Sequence, residues 1–347
     1  AACGGGSSAI VIDPLEDELA GTSDYYGTVE ITASQDAYNF LTGTNDMASD
    51  MVGLRPYAIS VNNIIDCWPQ YGLSDADIIY EMETEGGITR MMALFMDTRE
   101  TPLIGSVRSL RDQFMEAVFP LNPIIVHIGT SIYADKAVAE NNFRTIDGNN
   151  LPQVIFVMQS RLSTYAVEHT KFTSGQLIDE TLPAARISRE LTTNVESAFN
   201  FVTEGETTVP TTGDAATVKY SFSSYGDGDF RYDAETGKYY KWQYGRQQVD
   251  AVDTGEEEVP LSFDNVFVIF VPVSQIEGTA LVQMDYDAGG DAYYFSQGRY
   301  EKCTWSKNGY SNNFVFLTES GEELQVNTGN THVGVVDVDR EDQLVIS

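Results

Sequence analysis

The sequence predicts an α+β protein, a mixed α/β N-terminal domain followed by a smaller β-rich C-terminal domain. From Arg55 to Leu191, strand-sized apolar runs alternate with helical patterns. Beyond Thr217 the texture changes to short runs rich in Val, Phe, Tyr and Trp, set apart by Gly, Asp and Asn. The 347 residues are 42% hydrophobic and 21% charged, enough apolar material for two cores of ordinary domain size. The expected division is an anchor and flexible acidic tether over residues 1–38, the mixed α/β domain over 39–205 and the β-rich domain over 206–347.

Gly4 to Tyr38 is rich in Gly, Ser, Thr, Asp and Glu, and its like charges extend it as a tether. A short helical pattern at Ala33 to Leu41 is the first candidate ordered element. Tyr57 to Val61 is a strand ending at Asn62-Asn63, and Ser74 offers a hydroxyl able to accept an early helical N–H. Ile78 to Glu85 and Ile88 to Met96 flank Gly86-Gly87, where two glycines supply positive φ for a hairpin turn. A two-residue turn there would set Glu83 opposite Arg90, with Glu81 and Glu85 as diagonal neighbours.

A short strand at Leu103-Ile104 precedes a helix at Ser109 to Val118 and a buried strand at Pro123 to Ile128. The Gly129-Thr130-Ser131 turn then leads into a helix at Tyr133 to Glu140, a step whose free N–H groups favour anions. Val154 to Met158 is a strand, and Ser174 to Leu182 and Ala184 to Leu191 are helices. In the second half Val218 to Phe222, Phe230 to Tyr232, Tyr239 to Tyr244, Val266 to Val271, Ala292 to Tyr294, Arg299 to Trp305, Phe314 to Leu317 and Thr331 to Val336 are the expected strands.

Twenty Lys and Arg against 52 Asp and Glu give a formal net charge of -32, which repels phosphate backbones and anionic headgroups. Nucleic acid is therefore not an expected partner. No run reaches the about 20 apolar residues that span a bilayer. Ala1-Ala2-Cys3 followed by Gly4-Gly5-Gly6-Ser7-Ser8 instead has the form of a lipoprotein processing site, with diacylglycerol carried on the Cys3 sulfur. The expected location is thus the outer face of a bacterial cytoplasmic membrane, with membrane lipid engaged through Cys3; stable anchoring takes more than one acyl chain. Cys67 and Cys303 fall in different predicted halves, where they either pair or serve as small buried hydrophobes.

Residues 51–170 hold seven arginines and a single lysine, Lys136, a choice that suits fork-shaped recognition of carboxylate or phosphate. The candidate ligand-binding residues are Glu81, Glu85, Arg90, Arg108, Ser109, Arg111, His127 and Thr130, with Arg90, Arg108 and Arg111 expected to approach the end of the Pro123 to Ile128 strand near His127 and the Gly129-Thr130-Ser131 turn. Structural ion pairs are the competing explanation for the arginines. His127, His169 and His332 form no HExxH or HxH arrangement, and Asp227, Asp229, Asp233 and Glu235 lack the glycine and terminal glutamate of a calcium loop. Neither metal nor cofactor is expected.

Several ordered blocks resemble the YerB-like bacterial lipoproteins, a family described as a two-part domain of unknown function. They are Arg55-Pro56-Tyr57-Ala58-Ile59-Ser60-Val61-Asn62-Asn63, Pro69-Gln70-Tyr71-Gly72-Leu73-Ser74-Asp75, Glu85-Gly86-Gly87-Ile88-Thr89-Arg90, Ile104-Gly105-Ser106-Val107-Arg108-Ser109 and His127-Ile128-Gly129. In the second half, Ala292-Tyr293-Tyr294-Phe295, Thr304-Trp305-Ser306-Lys307 and Asn327-Thr328-Gly329 continue the match, so the resemblance spans about residues 39–337. It implies localisation and architecture, with Cys3 as the lipid-bearing cysteine, and no mechanism. Cys303 departs from the pattern, which leads one to expect a small residue there.

The leading expectation is a noncatalytic binding or scaffolding protein whose partner is an anionic small molecule, an envelope polymer or another protein. The rival is an enzyme acting on cell-wall or other extracytoplasmic material through an Arg/Glu/His site in the first domain, which requires a deep cleft placing His127, Glu85 and Arg90 within hydrogen-bond reach.

Overall fold

The strands β1 (Tyr57–Asn62), β2 (Ile78–Glu83) and β3 (Thr89–Phe95) are buried along almost their whole lengths, the condition of strands covered on both faces. A computed structural model describes residues 37–251 and 258–347. Cys3 and nearly all of the expected tether lie outside the described residues, as does the first part of the expected helix at Ala33 to Leu41. From Ala37 onward that segment forms turns, tied down by Asn39 Nδ2 donating to Asp77 Oδ1 at 2.9 Å.

Among the described residues the largest assembly is an 11-stranded mixed sheet. With β4 (Ile104–Gly105), β5 (Ile124–His127) and β6 (Ile146–Asp147) defined, its order across one half is β2, β3, β1, β5, β6. Beyond β2 the sheet continues through Thr331–Asp337, Asn265–Val271, Gly290–Ser296, Arg299–Ser306 and Val315–Thr318. Thr331–Asp337 runs parallel to β2 on one side and to Asn265–Val271 on the other. Strands from both halves of the sequence thus share one sheet, and the expected boundary at residues 205 and 206 does not separate two sheets.

Alternation along these strands feeds two cores. On one face Tyr80, Met82, Met92 and Phe267 pack with Phe114 of α1 (Asp112–Val118) and Ala134 of α2 (Ile132–Glu140). On the other, Ile79, Met91, Ala93 and Val268 pack with Val218, Phe230 and Tyr239 from a six-stranded sheet that includes Thr217–Ser221, Asp227–Asp233 and Lys238–Gln243. Helices are few, strands are many, and the C-terminal region is strand-rich.

Local expectations fare unevenly. The helices at Ser109 to Val118 and Tyr133 to Glu140 correspond to α1 and α2. The two helices expected over residues 174–191 are one, α3 (Gly175–Ala185), capped by the Ser174 hydroxyl and stopped at Arg186, whose φ of 53° is left-handed. Ser74 is no cap: it lies inside a short 3-10 turn, and its backbone N–H donates to Asp250 Oδ2. Cys67 and Cys303 are both buried and unpaired. No helix among the described residues is long and apolar enough to cross a membrane.

Candidate anion site

β1 and β5 run parallel, so their carboxyl ends lie together, the edge where open sheets place ligand groups. The 106–110 segment threads this edge: Asn62 N–H donates to the Ser106 carbonyl, Arg108 N–H to that of Ser60, and Leu110 N–H to that of Gly129. Val107 bridges Val61 in the core below. Alternation then puts Ser106 and Arg108 on the opposite face, beside Asn62 and its cross-strand partner Arg90.

The β2–β3 hairpin departs from the two-residue turn. Thr84 N–H donates to the Ile88 carbonyl and Glu83 pairs with Thr89, so the tip holds three residues, Glu85, Gly86 and Gly87. Both glycines sit at φ 76°, which closes a three-residue tip as readily as a two-residue one. The extra residue shifts the register by one and reverses faces. Arg90 therefore faces Met82 in place of Glu83, and Glu81 turns to the other side of the sheet.

Glu85, at the tip, reaches back over the edge. Its Oε1 lies 2.5 Å from Arg90 Nη2 and 2.5 Å from Arg111 Nη2, while its Oε2 accepts from Arg111 Nε at 3.0 Å. Arg90 Nη1 donates to the Ser109 carbonyl at 3.1 Å and Arg111 Nη1 to that of Leu110 at 2.8 Å. Burial opposes the charge on Glu85, yet the Arg111 hydrogen bond and the charges of Arg90 and Arg111 hold its carboxyl at about 2. Arg108 completes the group differently. It has no carboxylate partner among the described residues, and its buried Nε has no hydrogen-bond partner.

The structure thus brings together Glu85, Arg90, Arg108, Ser109 and Arg111. It withdraws three others. His127 lies 1% exposed beneath the turn, with Nδ1 on the Gly129 carbonyl at 2.9 Å and Nε2 on Thr145 Oγ1 at 2.8 Å, so both ring nitrogens are occupied. The Thr130 hydroxyl donates to Asp135 of α2, and the Gly129 N–H goes to Asp147 Oδ1. That turn's polar groups are consumed locally.

Glu81 sits in a separate buried network at the seam between the two sheets. It accepts from Asn63 Nδ2 at 2.6 Å, Thr89 Oγ1 at 2.6 Å and Gln243 Nε2 at 3.0 Å, and lies 3.1 Å from both Lys241 Nζ and His332 Nε2. Asn62 and Ser106, which the sequence reading did not single out, contribute buried polar atoms without partners, Oδ1 and Oγ respectively. Their signal was alternation about Val61 and Val107, legible only once those valines are known to face the core.

At the opposite end of β2 a cleft of about 490 Å³ is lined by Asp46, Asp75, Asp77 and Asp264 among others. Its basic residues are paired, Lys238 with Asp264 and Arg99 with Asp97, so it offers no free cationic fork. Among the described residues no three His, Cys, Asp or Glu side chains are gathered so as to hold a metal ion.

Two family models match the chain in sequence order, Protein of unknown function (DUF3048) N-terminal domain over residues 41–188 and its C-terminal domain over 216–333. The chain belongs to this family. It is 25% identical over 287 residues to a Bacillus subtilis (strain 168) protein named "Putative lipoprotein YerB", covering 81% of each chain. The crystal structure of YerB protein from Bacillus subtilis shares the fold, with a TM-score of 0.75 at 24% identity over 89% of this chain and 99% of that one. In the DUF3048 chain described here, the first model spans the whole arginine group.

Proposed function

We propose that this chain is a lipid-anchored binding protein at the outer face of a bacterial cytoplasmic membrane, which holds an anionic ligand at the Arg108 edge of its main sheet. The anchor is the Cys3 sulfur, in keeping with the similar Bacillus protein's name as a lipoprotein. One observation carries the binding reading: Arg90 and Arg111 share a single carboxylate, Glu85, and Arg108 stands close enough to Arg90 to repel its charge without a carboxylate of its own among the described residues, in a chain otherwise strongly acidic. Structural ion pairing accounts for Arg90 and Arg111 and leaves Arg108 over. A catalytic reading finds less support, because the His127 nitrogens and the Glu85 oxygens are already engaged.

Titration calorimetry of the purified chain against small anions tests the site. Binding that is lost in Arg108→Ala supports it, and absence of binding by every anion tried removes it. Labelled lipid tests the anchor: a chain expressed with a bacterial lipoprotein signal should take up label, and Cys3→Ala should not.

A further inference from the structure

Resting on that anion site, we infer that its ligand is the dianion of a phosphate monoester rather than a carboxylate or a phosphate diester. Three positive side chains, Arg90, Arg108 and Arg111, against the one carboxylate in contact with them, Glu85, leave two positive charges (3 − 1 = 2), with Glu168 acting on Arg108 only at longer range, outside salt-bridge contact. A carboxylate or a diester neutralises one of them. A phosphate monoester carries about −1.5 to −2 at pH 7 and three strong acceptor oxygens.

The donors also suit a tetrahedral group. Ser106 Oγ, Arg90 Nε and Arg108 Nε are buried without partners; Ser106 and Arg108 stand on the 106–110 segment along one side of β1, Arg90 on β3 along its other side, with Asn62 of β1 between them. Adjacent strands are about 4.8 Å apart, so these donors approach an object between them from different directions, as three oxygens require and a flat carboxylate does not. Asn62 can join them. Its Nδ2 now meets His169 Nδ1 at 2.8 Å. Turned over, the amide accepts from that nitrogen in its other tautomer and aims Nδ2 into the site in place of the unpartnered Oδ1. The site is entered from its rim, where Arg108 and Ser109 are half-buried and the Glu85 side chain is 28% exposed.

Calorimetry with methyl phosphate, dimethyl phosphate, sulfate and acetate tests the class. At pH 7.5 methyl phosphate and sulfate should bind at least tenfold tighter than dimethyl phosphate and acetate. Between pH 7.5 and 5 methyl phosphate should weaken about tenfold, following its second ionisation near 6, while sulfate, a dianion throughout, should not weaken. Any charging of nearby His169 acts in the opposite sense, strengthening all anions at low pH. Ser106→Ala should lower methyl phosphate affinity several-fold with the denaturation midpoint unchanged, and Arg108→Lys should retain the charge while losing the fork and most of the affinity. Equal affinities for the monoester, diester and acetate would overturn the class and leave the anion site standing. Binding of none of the four, or binding unchanged in Arg108→Ala, would overturn the site itself.

Discussion

Lys241 Nζ lies 3.1 Å from Glu81 Oε2, with both side chains fully buried, across the seam where the second sheet packs on the first. The desolvation cost of such a pair is large and is offset only while both partners are present. Lys241→Met alone leaves Glu81 charged in the core and should cost about 3–5 kcal/mol. Adding Glu81→Gln should restore part of that loss. Urea denaturation of the single and double variants gives the coupling, and strictly additive losses would show that the contact does not bind the sheets together.

Acid should act on Glu85. Its carboxyl sits at about 2 in the folded chain against an ordinary value of 4.5, so its contribution is complete above pH 4.5 and is lost as the pH falls towards 2. The stability difference between the native chain and Glu85→Gln should therefore stay level from pH 7 to 4.5 and shrink below it. A difference constant down to pH 2 would mean that the two arginines do not hold this carboxylate.

The thiols of Cys67 and Cys303 are buried, and burial pushes both up to about 12. In a Cys3→Ser chain neither should react with a thiol reagent at pH 8 until denaturant is added, when both should. A thiol titrating in the native state would place one of them at the surface.

β2 is flanked by β3 and by Thr331–Asp337, so neither half of the sequence can complete the main sheet alone. Tryptophan fluorescence and far-ultraviolet circular dichroism should report one coincident unfolding transition. Two separated transitions would show that the halves keep independent cores.

Much of this architecture was legible where periodicity is strong. The apolar run Val266 to Val271 and the strand Pro123 to Ile128 announce themselves by composition, whereas the cap chemistry read at Ser74 does not hold, the hydroxyl caps being Ser131 and Ser174. Register was not legible. Gly86-Gly87 permits two- and three-residue tips alike, and that one residue decides whether Glu81 joins Arg90 or faces Lys241. Nor could local sequence place Thr331–Asp337 beside β2, because a parallel pairing between distant segments leaves no short-range pattern. The arginine group was visible as composition. Which arginine lacks a carboxylate depends on where Glu85 reaches, and that is a property of the folded loop.

The most direct test of the anion site is urea denaturation of the native chain and Arg108→Ala, each with and without methyl phosphate. Arg108 has no carboxylate partner among the described residues, so without ligand the two should agree within about 0.5 kcal/mol. With ligand at about a hundred times its Kd, the native chain should gain about 2.7 kcal/mol and the variant almost nothing. A variant markedly less stable without ligand, or equal gains by both chains, would show that Arg108 is a structural residue and that the edge of the sheet is not a binding site.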